Sequence, residues 1–197
     1  MYGFVNQYQN FIAQDQVVAT TSSGQIAQTR NIGDVRIGGV EANASAPFVS
    51  RFGVLTLTGS GAYLRGTVLS GTNAINGKTL ADTPADDITP FKFVGSARFT
   101  DARNKWWVEY GVRTQTKVNR VADTLLQSPF LIAQDLLSLG GFTIQRVGAG
   151  YTLTQGPRRA RLTFAVENLG NKYFREQFQF APARGRSMTL GMSVGVF

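Results

Sequence analysis

From Trp106 to Asn119 the chain alternates with a period of two. Trp106, Val108, Tyr110, Val112, Thr114, Thr116 and Val118 occupy one set of positions; Trp107, Glu109, Gly111, Arg113, Gln115, Lys117 and Asn119 occupy the other. Every charge falls in the second set. A β-strand turns successive side chains to opposite sides, so the segment makes a strand with one apolar wall and one charged wall. The plan recurs. Phe91, Phe93, Gly95, Ala97 and Phe99 alternate with Lys92, Val94, Ser96 and Arg98. Leu162, Phe164 and Val166 alternate with Arg161, Thr163, Ala165 and Glu167. Met188, Leu190, Met192, Val194 and Val196 alternate with Thr189, Gly191, Ser193 and Gly195. No run approaches the roughly 18 apolar residues of a spanning helix, so any crossing of a membrane is by strands.

The pattern predicts about eight strands, near 2–13, 27–46, 51–69, 88–100, 105–121, 141–154, 160–169 and 185–197. Two of them change phase. Val35 and Ile37 give way to Val40 across Gly38–Gly39, where a glycine pair suggests a bulge. Phe142 and Ile144 give way to Val147, Ala149, Tyr151 and Leu153 across Gln145–Arg146 in the same manner. Between Arg51 and Val68 the facing is ambiguous. The connections alternate in length: 46–50, 101–105 and 155–159 are tight, whereas 14–26, 70–87, 122–140 and 170–184 are long. Several structureless loops longer than about 12–15 residues argue against a compact soluble domain. Tight turns at one end and long loops at the other are the plan of an outer-membrane barrel, and a strand of ~10 residues tilted ~45° spans its apolar band.

Composition removes other classes. Without Cys or His, the chain has no disulfide framework, thiol nucleophile, His-based triad or usual zinc ligand set. Charged residues are 16% of the chain, against about 25% for an ordinary soluble domain. The net charge of +8 is dispersed, and its one tight cluster, Arg158, Arg159 and Arg161, has no interleaved aromatics, so nucleic acid is not an expected partner. Aromatics gather near the tight turns: Phe48 and Phe52 at the first, Phe99, Trp106 and Trp107 at the second. There they suit a membrane-interface girdle. Met1 to Asn10 carry neither a basic start nor an apolar core, so any export signal is expected upstream.

The stretch Phe164-Ala-Val-Glu-Asn-Leu-Gly-Asn-Lys-Tyr173, then Pro182-Ala-Arg-Gly-Arg-Ser187 and a terminal Phe197, resembles the C-terminal end of TonB-dependent outer-membrane receptors. Asn31-Ile-Gly-Asp-Val-Arg-Ile-Gly-Gly-Val-Glu41 and the Tyr2–Ile12 segment are similar to earlier strands of that family. The resemblance implies an all-β, antiparallel transmembrane barrel of about 22 strands in the bacterial outer membrane. Residues 1–197 would be its C-terminal part, with the plug domain and earlier strands outside the chain. It implies active import of siderophore-iron or a similar large scarce ligand, without enzymatic activity. Outer-membrane lipid and the barrel-assembly machinery would be partners; TonB would act only through the missing N-terminal part. No cofactor is implied, and the transported ligand is not readable. Val194, Val196 and Phe197 would carry the assembly signal, although Phe197 stands one residue out of step with the apolar set.

On this reading Lys92, Arg98, Glu109, Arg113, Lys117, Arg161 and Glu167 line the lumen, and Phe99, Trp106 and Trp107 mark the membrane interface. The bland alternative for the charges is a solvated wall of partly paired side chains. Asp82, Asp86 and Asp87 lack the fixed spacing of a calcium loop. Gly59, Gly61 and Gly66 lack the Gly-Lys-Ser/Thr ending of a phosphate loop, and Asn43-Ala-Ser45 reads as a chance glycosylation match. The apolar loop 122–140 is expected either to fold as a short helix over the barrel mouth or to extend its hairpin. Two other architectures fit the pattern: a complete small barrel with a structural or adhesion role, and a soluble all-β binding domain.

Overall fold

The computed structural model describes all residues except 86, 87, 90, 119, 123–125, 127–131, 134–139, 156–157, 177–180 and 197, with backbone alone described at 13–16, 154–155 and 196. Among the described residues the chain forms one 8-stranded sheet in which neighbours in sequence are neighbours in space. The strands are β1 (Tyr2–Thr21), β2 (Gly24–Ser50), β3 (Gly53–Val68), β4 (Phe91–Asp101), β5 (Trp106–Gln115), β6 (Phe142–Gln155), β7 (Arg158–Glu167) and β8 (Ser187–Val196). Every adjacent pair is antiparallel. β1 and β8 are the edges.

Register decides which side chains share a face, because directly paired residues point the same way. Phe48 pairs with Leu55, which pairs with Phe99, which pairs with Val108. Val108 continues through Ala149 and Phe164 to Leu190. One uninterrupted apolar face therefore crosses the sheet from β2 to β8. Its large side chains stand exposed, among them Val40, Leu57, Tyr110, Leu153, Leu162 and Met192. The ambiguity in 51–69 disappears: Leu55, Leu57 and Tyr63 belong to the apolar face, while Thr56, Thr58 and Ser60 belong to the other. Leu55 to Tyr63 is eight steps along the strand, about 19 Å of height at ~3.3 Å rise and ~45° tilt, close to a barrel's apolar band.

Neither expected bulge exists. β2 runs in unbroken register through Gly38–Gly39 against both neighbours, and β6 does so through Gln145–Arg146. The backbone keeps its phase; what changes is the covering of the polar face. Val35 lies on that face, fully buried with Ile32, Val68, Leu80 and Ala85. Leu80 and Ala85 come from the 69–90 connection, which folds back onto β3: Val68 N donates to Thr83 O at 2.9 Å and Ala85 N to Gly66 O at 3.3 Å. Gly66 permits this approach, since a Cβ there would lie 2.7 Å from Ile88 and 2.8 Å from Ala85. Phe142 is likewise covered by Phe174, with ring centroids 4.2 Å apart. The register breaks that do occur lie in β1, between Tyr8 and Ala19.

Three boundaries also differ from expectation. The 14–26 connection is no long loop: β1 and β2 continue to a turn at Ser22–Ser23. The expected 46–50 turn falls at Arg51–Phe52, because β2 runs on to Ser50. β5 ends at Gln115 rather than near 121, where the ladders with Lys92 of β4 and Phe142 of β6 run out. Loop 122–140 lies largely outside the described residues, so neither expectation for it is addressed. The tight end is held by side chains, with Asp101 accepting from Arg103 N at 3.0 Å and Trp106 N at 2.8 Å.

Candidate functional site

The polar face carries the site. Arg98 pairs with Glu109 across β4 and β5, and Glu109 pairs with Gly148 of β6. Glycine at 148 leaves room above the sheet, and Arg146, two residues away, reaches in from the same face. Glu109 forms ion pairs with both arginines, with N–O distances of 3.0 Å to Arg146 and 3.8 Å to Arg98. It is only 15% exposed, so its charge is held in a partly desolvated place where two cations offset it. The Arg98 guanidinium also lies 4.0 Å from the Trp107 ring centroid.

Trp107 therefore stands on the polar face, set into the space above Gly148 and Gly150. Phe99 and Trp106, with which the sequence grouped it, stand on the apolar face with ring centroids 5.4 Å apart. Trp106 and Trp107 are adjacent, and one step along a strand changes the face.

Higher on the same face, Arg113 holds Glu176 of the last long connection through two N–H···O contacts, 2.9 and 2.5 Å. Arg113 also lies 5.5 Å from the Phe142 ring centroid, and Phe142 stacks on Phe174. The hydrogen bonds from Arg113 hold the Glu176 carboxyl below its ordinary value; partial burial opposes this, and the charges of Arg113 and Lys92 reinforce it. Lys92 is on the same face, paired with Gln115 beside Arg113. Gln115 is buried, and among the described residues its side-chain nitrogen has no hydrogen-bond partner.

The last connection owes its shape to the motif that carried the family resemblance. Asn168, buried and in the left-handed region at φ 51°, donates to the carbonyls of Lys172 at 2.9 Å and Arg184 at 3.2 Å, and accepts from Lys172 N. Asn171, at φ 48°, accepts from Arg186 N at 2.8 Å. Short amide side chains tolerate that backbone region and bond to nearby backbone, which is what the two positions require.

The remaining expected positions are less connected. Arg161 faces Thr152 and Ser193, and Glu167 faces Arg146 and Ser187, all on the polar face. Lys117 lies beyond the end of β5. Val194 is exposed on the apolar face, whereas the Val196 side chain and Phe197 lie outside the described residues. Asp86 and Asp87 do also, and among the described residues no group of three or more acidic, His or Cys side chains is placed to hold a metal. The sequence missed Arg146 and Glu176. Arg146 was legible by counting back in twos from Gly150; Glu176, in an irregular loop, had no periodic signal. Across this face cations outnumber carboxylates, and the arrangement is suited to holding and steering anions.

The chain matches the family model described as TonB dependent receptor-like, beta-barrel, over residues 3–169. No curated relative matches it. Among solved structures it is similar to one titled copper transporter OprC, at 21% identity and a TM-score of 0.69, covering 98% of this chain and 27% of that one. It is also similar to the FrpB iron transporter from Neisseria meningitidis (F3-3 variant), at 16% identity and a TM-score of 0.60, covering 99% of this chain and 28% of the other. The chain thus spans little more than a quarter of the structures it resembles.

Proposed function

Because the chain belongs to the TonB-dependent receptor β-barrel family, we propose that it forms the closing part of the wall of an outer-membrane active-transport receptor, the rest of the barrel and the plug lying outside it. The observation that carries this reading is the continuous exposed apolar face from β2 to β8, with Arg98, Glu109, Arg113, Arg146, Arg161 and Glu167 on the opposite face. Such a sheet needs hydrocarbon on one side and water on the other. Its edges β1 and β8 do not pair with each other among the described residues, and unpaired edges are not tolerated in lipid. Further strands from the same receptor supply the partners, which favours the receptor over a complete small barrel.

In this reading Lys92, Arg98, Glu109, Arg113, Arg146, Arg161 and Glu167 face the lumen, and Lys117 sits at its outer mouth. Phe99 and Trp106 mark the inner membrane interface. The terminal strand, with Val194, Val196 and Phe197, is what the barrel-assembly machinery engages, and TonB acts through the plug. The wall performs no chemistry. The cationic excess suits a polyanionic metal chelate such as a ferric siderophore or ferric citrate. The test uses the full receptor gene, deleted and restored, in iron-limited cells given radiolabelled iron as ferric citrate, with copper(II) as a parallel arm. Ferric citrate uptake that follows the gene supports the reading, and uptake of copper alone replaces its ligand. Recovery of the receptor in the soluble fraction without detergent sinks the membrane reading altogether.

A further inference from the structure

Three strands change course at one level. β2 pairs with β3 only from Val35 to Ser50, yet its pairing with β1 continues to Gly24. Among the described residues, Phe11–Thr21 and Gly24–Gly33 therefore form a two-stranded ribbon that extends beyond the rest of the sheet. At its base β1 breaks register between Tyr8 and Phe11, with Asn10 at φ 54°. β2 passes through Gly33 at φ 112°, and the chain leaving β3 passes through Gly71 at φ 135°. Each glycine lies against the other's strand. A Cβ at Gly33 would fall on the Ser70 carbonyl, and one at Gly71 on the Ile32 carbonyl. Two strands alone are marginal in water, so the base decides how the ribbon is held.

Asp34 ties this level together. Its carbonyl accepts from Leu69 N at 2.7 Å and Ser70 N at 3.4 Å, and its own N–H donates to Ser70 Oγ at 3.2 Å. Its carboxylate accepts from Asn10 N at 3.2 Å. Asn31 Nδ2 donates to Asn10 Oδ1 at 2.9 Å, while Asn31 Oδ1 accepts from Gly33 N at 2.8 Å. Packing makes the same link. Phe11 of β1 and Ile32 of β2 share one apolar cluster with Leu80 of the 69–90 connection, and Leu80 N donates to Gly71 O at 2.9 Å.

We propose that Asp34 is the centre of a joint that couples the ribbon to the 69–90 connection, so that the two move as one body. The ribbon extends clear of the wall, whereas the connection covers the polar face over Val35. A displacement of the exposed ribbon is thereby delivered to that cover without any change of charge. The alternative is that the two elements merely abut and open independently. Side chains would then separate them; here the strand ends meet backbone to backbone, and at Gly33 and Gly71 no side chain can stand between them.

The place of the ribbon outside the membrane rests on the reading above; the coupling does not, and the experiment separates the two. The full receptor is held in lipid nanodiscs, and distances between pairs of nitroxide labels are read by pulsed electron spin resonance. Ser22 against Tyr63 of β3 reports the ribbon, Asn76 against Tyr63 reports the 69–90 connection, and Lys172 against Tyr63 is the control. Leu80→Ala loosens the connection from its cluster and should broaden the ribbon and connection distances together, leaving the control unchanged. Asn31→Ala acts from the ribbon side and should broaden the connection distance in return, because coupling is reciprocal. Ser70→Ala removes the acceptor for Asp34 N, so hydrogen exchange at the Leu69 amide should quicken about two- to tenfold; Ser70→Thr, which keeps a hydroxyl, should restore the slower rate. Folding of each variant is read from heat-modifiable gel migration. If Leu80→Ala broadens the connection alone, if Asn31→Ala broadens the ribbon alone, or if the control broadens equally, the joint is overturned while the barrel stands. Failure of the wild type to enter the outer membrane overturns the membrane reading instead.

Discussion

The contact between Arg113 and Glu176 predicts how firmly the last long connection is seated. Replacing Glu176 by Gln keeps the shape of the side chain and removes its charge. The two contacts are well formed, at 2.9 and 2.5 Å, but Arg113 and Glu176 are 39% and 37% exposed, so water screens the pair. Its coupling is expected at about 0.5–1 kcal/mol, a two- to fivefold change in the local opening equilibrium. The reporter is hydrogen exchange at the Ala183 amide, which donates to Phe174 O at 2.9 Å and is released when the loop lifts. A double-mutant cycle with Arg113→Gln isolates the pair, and its coupling should shrink as salt rises. The sign with pH is fixed: Arg113 holds the Glu176 carboxyl below its ordinary value. The stabilisation is therefore complete above that value and is lost as pH falls through the lower folded value. Identical Ala183 exchange in wild type and Glu176→Gln, or a coupling indifferent to salt, would refute the reasoning.

Other positions give sharper contrasts. Gly150→Val drives a side chain into Trp107, whose indole nitrogen lies where the new Cβ would go; folded yield of the full receptor, read by heat-modifiable migration, should drop, and Trp107→Ala should partly restore it. Leu190→Lys places a charge on the apolar face and Thr189→Lys places it on the polar face; in lipid vesicles the first should cost about 2–4 kcal/mol near mid-depth and the second far less, as measured by urea titration. Leu80→Ala removes a large buried side chain that the 69–90 connection contributes, 3% exposed, at a cost of about 2–5 kcal/mol; trypsin should then cut at Lys78 in otherwise folded receptor.

Alternation carried most of the fold. The strands β4, β5 and β7 were legible because each sets most of its lipid-type residues on one face, so period two appears directly in the sequence. It failed at Val35–Ile37 and at Phe142–Ile144 for one physical reason. Apolar residues on the polar face mean that something covers that face, and the covering residues, Leu80, Ala85 and Phe174, lie in irregular segments far along the chain. A local reading sees the change of pattern and assigns it to the backbone. The site was half legible in the same way. Arg98, Glu109, Arg113 and Arg146 declare their face by parity, but that Arg146 meets Glu109 is a cross-strand contact, and Glu176 lies in an irregular loop that no local pattern encodes. Trp107 was misplaced because richness in aromatics near a turn was weighed above parity, and parity was the stronger argument.

The two covered patches differ in what holds them, and the difference bears on how loops in such a wall respond to cargo. The 69–90 connection is seated by a dry cluster around Val35 and by backbone hydrogen bonds to β3; neither contains a charge for a ligand to compete with. The 168–186 connection is seated by the Phe142–Phe174 stack and by Glu176 on Arg113, beside Lys92. A polyanion entering along the polar face meets the same guanidinium that Glu176 occupies and displaces a carboxylate with oxygens of its own. The first loop has no reason to move when that happens, whereas the second loses a charged anchor and keeps its ring contact and backbone hydrogen bonds. On the proposed function, response to an anionic cargo is, of these two loops, concentrated in the last, and a receptor carrying Glu176→Gln should show that loop already loosened before any cargo arrives.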